Sequence, residues 1–332
     1  MDLQEQACWL LLVFESGLPV RVVNDILVLW CKQLHRTLHD FFTVDEQEWS
    51  STCHLNVSVI EKLRLAKEKL VGQAFLAEQL QHHHMCMITV LDPEYPTLLK
   101  KALTRSQIPS VLFSMGDLRI LRRQTVAIIG SRNASGASLA FTRSVAQYLA
   151  QQGANIISGN ARGVDHVAYE GAIEADGSTT VVLPHGIRKL SKVQMRDIWP
   201  RIEAGKVLLL SQFYPDAPWL VSRAMERNMV VTGLAQTVIV AESDHKGGTW
   251  EGANGALKQG RRVYVRNTKG DKESLPGNQL LLEKGAYSLD WPVENVADIL
   301  LPVLQEGQIL RIKQSDMSVP PSQLSLLAVS YE

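Results

Sequence analysis

The most informative stretch of the chain reads Thr125-Val-Ala-Ile-Ile-Gly130-Ser-Arg132-Asn-Ala-Ser-Gly136. Five apolar or β-branched residues lead directly into Gly-Ser-Arg-Asn, and Phe141, Val145, Tyr148 and Leu149 then follow a helical spacing. A short apolar strand that passes through a glycine turn into a helix is typical of the first unit of a parallel α/β sheet. Because backbone N–H groups at such a helix start attract anions, the stretch predicts a phosphate-binding turn.

The same alternation continues along the chain. Apolar strands are predicted at Thr125–Gly130, Ala154–Ser158, Thr179–Leu183, Lys206–Ser211, Gln236–Glu242 and Arg262–Arg266. Helical patterns lie between them at 137–152, 163–176, 189–204, 217–234 and 249–259. Strands that alternate with helices in this way predict an α/β fold with a doubly wound parallel sheet.

The segments on either side of this alternation suggest three domains. Residues 1–84 are predicted to be short helices that form a small helical domain. Residues 85–290 form the α/β core, which begins with a strand at Met87–Leu91 and a short helix at Leu98–Leu103. One more helix, Val293–Leu304, and a flexible end make up residues 291–332.

Charge is distributed unevenly along the chain. Lys plus Arg and Asp plus Glu both number 34, so the net charge excludes no class of partner. Between Arg122 and Ala286, however, 21 Lys or Arg stand against 14 Asp or Glu. The middle of the chain is therefore basic, which favours nucleic acid or another polyanion as its partner. A solvated basic face without a ligand is the simpler interpretation of the same charges.

Cysteine and histidine do not form a metal-binding pattern. The four cysteines include no CxxC pair and are typical of reduced thiols in the cytosol. Adjacent side chains such as His82, His83 and His84 cannot all point at one ion, so neither a metal nor a cofactor is predicted. No signal pattern and no apolar run of about 18 residues occurs, which predicts a soluble cytoplasmic protein without a membrane segment.

Candidate binding residues follow the predicted strands, because ligands of open α/β sheets bind at the carboxyl ends of strands. Glycine occurs there together with arginine, lysine or a hydroxyl group after the first, second and fifth strands. Glycine lets a ligand approach the backbone, and arginine or lysine forms charge-assisted hydrogen bonds with phosphate. One wall of a polyanion groove is therefore predicted at Gly130–Arg132, Ser158–His166 and Glu242–Thr249.

Three kinds of small-ligand site are alternatives to this groove. The dinucleotide pattern G-x-G-x-x-G and the P-loop pattern G-x-x-x-x-G-K-[ST] both fail on spacing, since Gly130 and Gly136 are separated by five residues and Ala137 follows. Gly247-Gly-Thr-Trp-Glu251 partly resembles the Gly-Gly-x-Gly-Thr-x-x-Glu loop of nucleotide phosphoribohydrolases. Glu251 could act on a ribose carbon there, or could simply be an acidic residue in the first turn of a helix.

Arginine recurs on the predicted helix 217–234. Arg223 and Arg227 are four residues apart and are expected to share a face, with Glu226 and Asn228 beside them. Two cations aimed at a phosphate path and an amphipathic surface helix with an internal ion pair fit this pattern equally well.

A set of motifs in this order resembles the DprA/Smf DNA-processing family over residues 88–289. The motifs are Gly130-Ser-Arg132, Ser158-Gly-Asn-Ala-Arg162-Gly-Val-Asp165, Ser211-Gln-Phe-Tyr-Pro215, Arg227-Asn-Met-Val-Val-Thr-Gly233-Leu234 and Pro276-Gly-Asn278. The N-terminal helices resemble the small, SAM-like helical domain often found ahead of that core. Met229 departs from the family pattern, which usually has a second arginine there.

The resemblance implies an extended Rossmann-like core that binds single-stranded DNA without sequence preference, commonly as a homodimer. It also implies delivery of the strand to a RecA-type recombinase in DNA uptake, recombination or a related defence role, without catalysis and without a cofactor. The rival interpretations are a nucleotide sensor or phosphoribohydrolase and a scaffold without a ligand. The predicted DNA-binding residues are Gly130, Ser131, Arg132, Gly159, Arg162, Gly163, Arg223, Arg227, Asn228, Lys246, Gly247, Gly248 and Thr249.

Overall fold

The structure is a computed structural model and describes residues 1–268 and 275–305. Within these residues a single sheet contains nine strands. The strands are β1 (Cys86–Thr89), β2 (Val111–Met115), β3 (Thr125–Gly130), β4 (Asn155–Ser158), β5 (Ser178–Val182), β6 (Val207–Ser211), β7 (Thr237–Glu242), β8 (Arg262–Arg266) and β9 (Tyr287–Leu289).

The sheet has the order β1-β2-β6-β5-β4-β3-β7-β8-β9. The strands from β6 to β9 in this order are parallel, whereas β2 pairs antiparallel with β6 and β1 antiparallel with β2. Successive strands run from β3 towards β6 on one side and from β7 towards β9 on the other. The point where the order reverses therefore lies beside β3, and Val126 pairs there with both Ile156 and Thr237.

Thirteen α-helices are defined among the described residues by both of their ends. Those before the parallel strands are α1 (Leu3–Leu10), α2 (Val20–Leu27), α3 (Leu38–Thr43), α4 (Glu46–Cys53), α5 (Val57–Lys67), α6 (Leu70–His82) and α7 (Thr97–Ala102). Those that follow are α8 (Gly136–Gln151), α9 (Val164–Glu174), α10 (Lys192–Glu203), α11 (Val221–Leu234), α12 (Gly248–Lys258) and α13 (Gly277–Glu283). Residues 296–305 are also helical. Helices α1 and α2 continue as π-helical segments, Leu11–Glu15 and Val28–Gln33.

Local hydrogen bonds explain where several helices begin. The Ser135 side chain accepts a hydrogen bond from the backbone N–H of Ser138 and caps α8. Ser191 and Gln194 form a capping box that starts α10. The predicted start of helix 189–204 is wrong, because the capping box places the start of α10 at Lys192.

Apolar residues alternate between the two faces of the sheet, as a doubly wound fold requires. On β3, Val126 and Ile128 pack against α8 and α9, whereas Ala127 and Ile129 pack on the opposite face with α11 and α12. Burial on both faces explains why the strands consist of continuous apolar residues. The predicted α/β doubly wound fold is confirmed, and the six predicted strands agree with the structure to within one residue at either end.

Two features differ from a purely parallel sheet that stands apart from its N-terminal helices. The predicted strand Met87–Leu91 and helix Leu98–Leu103 correspond to β1 and α7. The strand β2 and the antiparallel pairing that joins β1 and β2 to the edge of the sheet were not predicted. Phe41 and Trp49 of the N-terminal helices belong to the same hydrophobic cluster as Phe113 of β2 and Leu209 of β6. The boundary between residues 1–84 and 85–290 therefore remains a prediction, as does the predicted flexible end, which lies outside the described residues. No helix in the described part of the chain is long and apolar enough to cross a membrane.

Candidate functional site

A cleft of about 360 Å³ lies at the carboxyl ends of β3 and β7, beside the point where the strand order reverses. This is the place where open α/β sheets bind ligands. Its walls include the turns after β3 and β4, one face of α11, and the loop that leads from β7 into the start of α12. The predicted residues that line the cleft are Gly130, Ser131, Arg132, Arg227, Asn228, Lys246, Gly248 and Thr249.

The glycines around the cleft mostly serve contacts within the protein. A Cβ atom on Gly163, where φ is +88°, would lie 2.4 Å from the carbonyl oxygen of Ser131. A Cβ atom on Gly130 would lie 2.5 Å from Cγ2 of Val164. These two turns therefore pack directly against each other, so glycine is required at both positions by contacts within the protein. That these glycines also admit a ligand to the backbone remains a prediction. Gly247 differs, because a Cβ atom there would meet nothing within 4 Å, although its φ of +90° still favours glycine.

Arg227 lies at the base of the cleft and is only 2% exposed. Its Nη1 atom donates a hydrogen bond to the carbonyl oxygen of Val182 (2.9 Å), whereas its buried Nε has no partner among the described residues. The guanidinium lies against Gly159, where a Cβ atom would be 1.4 Å from Nη1. Burial lowers the pKa of Arg227, and Asp165 opposes that shift. A buried cation at this place gives the cleft a fixed positive charge that water screens little.

Asp165 places a carboxyl group in the same cleft. It accepts a hydrogen bond from the backbone N–H of Gly159 (3.1 Å). Burial raises the pKa of Asp165, while Arg227 and the backbone N–H groups of Gly159 and Ala161 act in the opposite direction. The carboxyl group thus holds the turn after β4 in place and faces the buried cation.

The rim of the cleft carries exposed cations. Arg132, after β3, and Lys246, after β7, are both exposed and line the cleft. Arg162 is exposed nearby but does not line the cleft. Its guanidinium donates to the side-chain oxygen of Asn133 and, more weakly, to the carbonyl oxygen of Arg132 (3.4 Å). Arg162 therefore supports the turn that presents Arg132.

Arg223 lies outside the cleft, although it is one helical turn before Arg227. Its Nη1 atom donates to the carbonyl oxygen of Pro218 (2.6 Å), and its guanidinium carbon lies 5.8 Å from the centre of the Phe213 ring. Residues four apart are offset by about 40° around a helix, so a shared face does not ensure a shared pocket. Gly159, Gly163 and Gly247 adjoin the cleft without lining it.

Two buried groups that are not among the predicted DNA-binding residues hold the turns in position. Glu242, which ends β7 and is 1% exposed, accepts hydrogen bonds from Oγ of Ser135 (2.6 Å) and Oγ of Ser138 (2.5 Å). It also forms an ion pair with buried Arg266 (3.9 Å). In the sequence, this role could have been recognised from an acidic residue at the end of an otherwise uncharged strand.

Asn278 joins the ends of β7 and β8. Its side-chain oxygen accepts from the N–H of Ser243 (2.7 Å), and its side-chain nitrogen donates to the carbonyl oxygens of Ala241 (3.0 Å) and Arg266 (2.9 Å). Gly277 lies so close to this turn that a Cβ atom there would be 2.3 Å from the carbonyl oxygen of Asp244. The Pro-Gly-Asn motif thus fixes the loop that carries Lys246.

Glu251, the residue on which a hydrolase would depend, is exposed and does not line the cleft. The acidic side chains that do line it are Asp165 and Asp244, and Asp244 accepts from the backbone N–H of His245 (2.7 Å). In the described part of the chain, no group of three His, Cys, Asp or Glu side chains could hold a metal ion.

Comparison with known proteins shows what this arrangement is similar to. Protein Smf of Escherichia coli (strain K12) is 29% identical over 248 residues, which are 73% of this chain and 65% of that protein. The X-ray structure of DNA processing protein A (DprA) from Streptococcus pneumoniae aligns with a TM-score of 0.67 at 21% identity, over 85% of this chain and 94% of that one. That likeness shows the shared fold.

A second solved structure is DNA processing protein A from Helicobacter pylori, described for its single-stranded DNA binding mode. It aligns with a TM-score of 0.56 at 27% identity and covers 67% of this chain and 98% of that one. A family model described as DNA recombination-mediator protein A matches residues 86–301. Since this match covers well over half of the sequence, the chain belongs to the DprA/Smf family of DNA recombination-mediator proteins.

Proposed function

We propose that this protein binds single-stranded DNA without sequence preference and that the strand's phosphates occupy the cleft beside β3. The observation that carries the proposal is that two exposed cations, Arg132 and Lys246, line the same cleft as the buried charge of Arg227. Cations that track phosphates give affinity without reading bases. Single-stranded DNA binding by the Helicobacter pylori relative supports the same ligand.

Apolar side chains of α11 suit the rest of a single strand. Val221 and Met225 line the cleft and are 61% and 50% exposed. Apolar surfaces of this kind contact the faces of unpaired bases, which are available in a single strand and hidden in a duplex. A preference for single-stranded over double-stranded DNA follows.

A nucleotide hydrolase fits the arrangement less well. Glu251 is exposed outside the cleft, and the Asp165 carboxyl is held by the turn after β4. A general acid or base must reach its substrate directly or through one water molecule. The proposal therefore includes no catalytic step and no cofactor.

The wider role proposed here rests on family membership. It consists of delivery of the strand to a RecA-type recombinase, by a homodimer in the cytoplasm, during DNA uptake, recombination or a related defence response. Arg162 and Arg223 were also predicted to contact DNA, and in this proposal Arg162 acts by holding the turn of Arg132.

A salt titration tests the proposal. A labelled oligo-dT and a duplex of the same length are titrated with the full chain at several salt concentrations. Each lost phosphate contact should lower the magnitude of the slope of log K against log salt by about 0.7 for a single strand. Arg132→Ala and Lys246→Ala should each show this loss, whereas Arg64→Ala, an exposed arginine on α5, should not. Absence of single-strand binding at low salt would reject the function, and an unchanged slope in both variants would place the phosphates elsewhere.

A further inference from the structure

A second cavity of about 300 Å³ lies on the other side of α11 from the cleft. The N-terminal helical segment provides one wall, which includes Phe14 and Val23. The segment after β6 provides the other wall, which includes Phe213 and Tyr214. A cavity of this size is at the lower end of the range that binds small ligands.

Three aromatic rings contribute to the largely apolar walls of this second cavity. The rings of Phe14 and Tyr214 meet edge to face with centroids 5.7 Å apart, and Phe213 contributes a third ring. Aromatic walls favour a flat, aromatic ligand, because such rings gain from stacked and edge-to-face contacts in addition to apolar burial.

Hydrogen-bond acceptors lie along the polar edge of the cavity. Gln212 is only 8% exposed and donates from Nε2 to Oε1 of Glu226 (2.7 Å). The buried Oε1 of Gln212 has no hydrogen-bond partner among the described residues. A buried acceptor without a donor is unfavourable by about 1–3 kcal/mol in general, so this edge is suited to a ligand that brings N–H groups.

Arg223 adds a cation at the same cavity. Its guanidinium donates to a backbone carbonyl oxygen and forms no ion pair within 4.0 Å among the described residues. Arg223 precedes Arg227 by one helical turn, so the cavity and the cleft are neighbours across a single helix.

We propose that the second cavity binds one nucleotide, with the N–H edge of its base facing Gln212 and Glu226 and its phosphate in contact with Arg223. Carboxylate oxygens accept well from the amino group of cytosine, which makes cytosine a suitable probe. The base can come from the bound strand, in which case the inference rests on the proposed function, or from a free nucleotide.

The experiment uses the full chain and distinguishes a base of the bound strand from a free nucleotide. Val20→Trp narrows the rim of the cavity, where Val20 is 42% exposed, and Glu226→Ala removes an acceptor. Val57→Trp is the matched control, since Val57 is 81% exposed and does not line the cavity. Binding is measured to oligo-dC and to a strand of the same length with abasic positions, and the thermal shift is measured with deoxycytidine 5′-monophosphate.

The cavity variants should weaken oligo-dC binding by about tenfold, which lies within the range for one stacked base, and should leave binding of the abasic strand unchanged. Loss of the thermal shift alone would assign the cavity to a free nucleotide. If both cavity variants match Val57→Trp in the oligo-dC and the nucleotide measurements, the inference is overturned. If wild type binds no strand, the proposed function fails, and the nucleotide measurement alone then decides for or against the cavity.

Discussion

Gly159→Ala should destabilise the protein only while Arg227 is present. A Cβ atom at residue 159 would lie 1.4 Å from Nη1, 2.1 Å from Cζ and 2.3 Å from Nη2 of Arg227, so the whole guanidinium must move. It then loses its hydrogen bond to the carbonyl oxygen of Val182. A hydrogen bond to a charged group contributes about 1.5–3 kcal/mol, and crowding in a packed site adds about 1–3 kcal/mol. We therefore expect the free energy of unfolding to fall by about 3–5 kcal/mol.

The same substitution should be almost neutral in an Arg227→Ala background. Gly159 does not have a left-handed φ, so alanine fits its backbone conformation once the guanidinium is gone. Replacing glycine by alanine at a compatible position stabilises a protein by about 0.4–1 kcal/mol through the unfolded state. Urea unfolding of wild type, both single variants and the double variant gives the coupling energy.

A coupling energy near 3 kcal/mol or more is expected from these contributions. Equal losses from Gly159→Ala in both backgrounds would refute the reasoning, because they would show that the guanidinium does not lie against Gly159. The displaced Arg227 side chain would also enter the cleft, so the salt slope for single-stranded DNA serves as a second measurement on the same variant.

Three further predictions concern the groups that hold the site. Asn278→Ala should lower the free energy of unfolding by about 2–4 kcal/mol, since the buried backbone N–H of Ser243 loses its acceptor and the carbonyl oxygen of Ala241 loses one of its donors; urea unfolding measures this change. Arg261→Met should also lower the free energy of unfolding, because the Arg261 guanidinium donates to several carbonyl oxygens at the end of α11. Burial lowers the pKa of Arg261 to about 10, which shows how far this cation is removed from water. An unchanged midpoint of urea unfolding would contradict this role. Burial raises the pKa of Asp165, so the folded protein holds this proton more tightly than the unfolded chain does. The free energy of unfolding should therefore fall as the pH rises through and above the usual pKa of 3.8. The difference in unfolding free energy between wild type and Asp165→Asn, measured across this pH range, isolates the effect.

Much of the fold could be predicted because its signals are local. Strands such as Thr125–Gly130 and Arg262–Arg266 are continuous apolar runs between turn residues, and their predicted ends agree with the structure. The turn after β3 was predicted to border a ligand site, and Gly130, Ser131 and Arg132 do line the cleft. A strand was predicted at Met87–Leu91, where β1 lies, but its antiparallel pairing with β2 was missed because pairing between strands depends on contacts that no local pattern contains.

The candidate site shows the same division between local and distant effects. Residue spacing placed Arg223 and Arg227 on one face of a helix, but their long side chains reach different cavities. Gly130 and Gly163 were recognised as glycines in turns, but the contacts of Gly130 with Val164 and of Gly163 with Ser131 arise only because the turns after β3 and β4 meet. The DNA-binding roles of the predicted residues remain predictions until the salt titration is made.

The sequence alone established the order of strands and helices, the basic middle of the chain and the turns that surround the cleft, since each depends on residues close together in the chain. The tertiary structure established that Arg227 is buried while Arg132 is exposed, that Glu242 is held by Ser135 and Ser138, and that a second cavity lies across α11. Burial and side-chain direction depend on packing between segments distant in sequence. Backbone periodicity specifies which residues form a helix or strand, but it does not specify which neighbour each side chain meets.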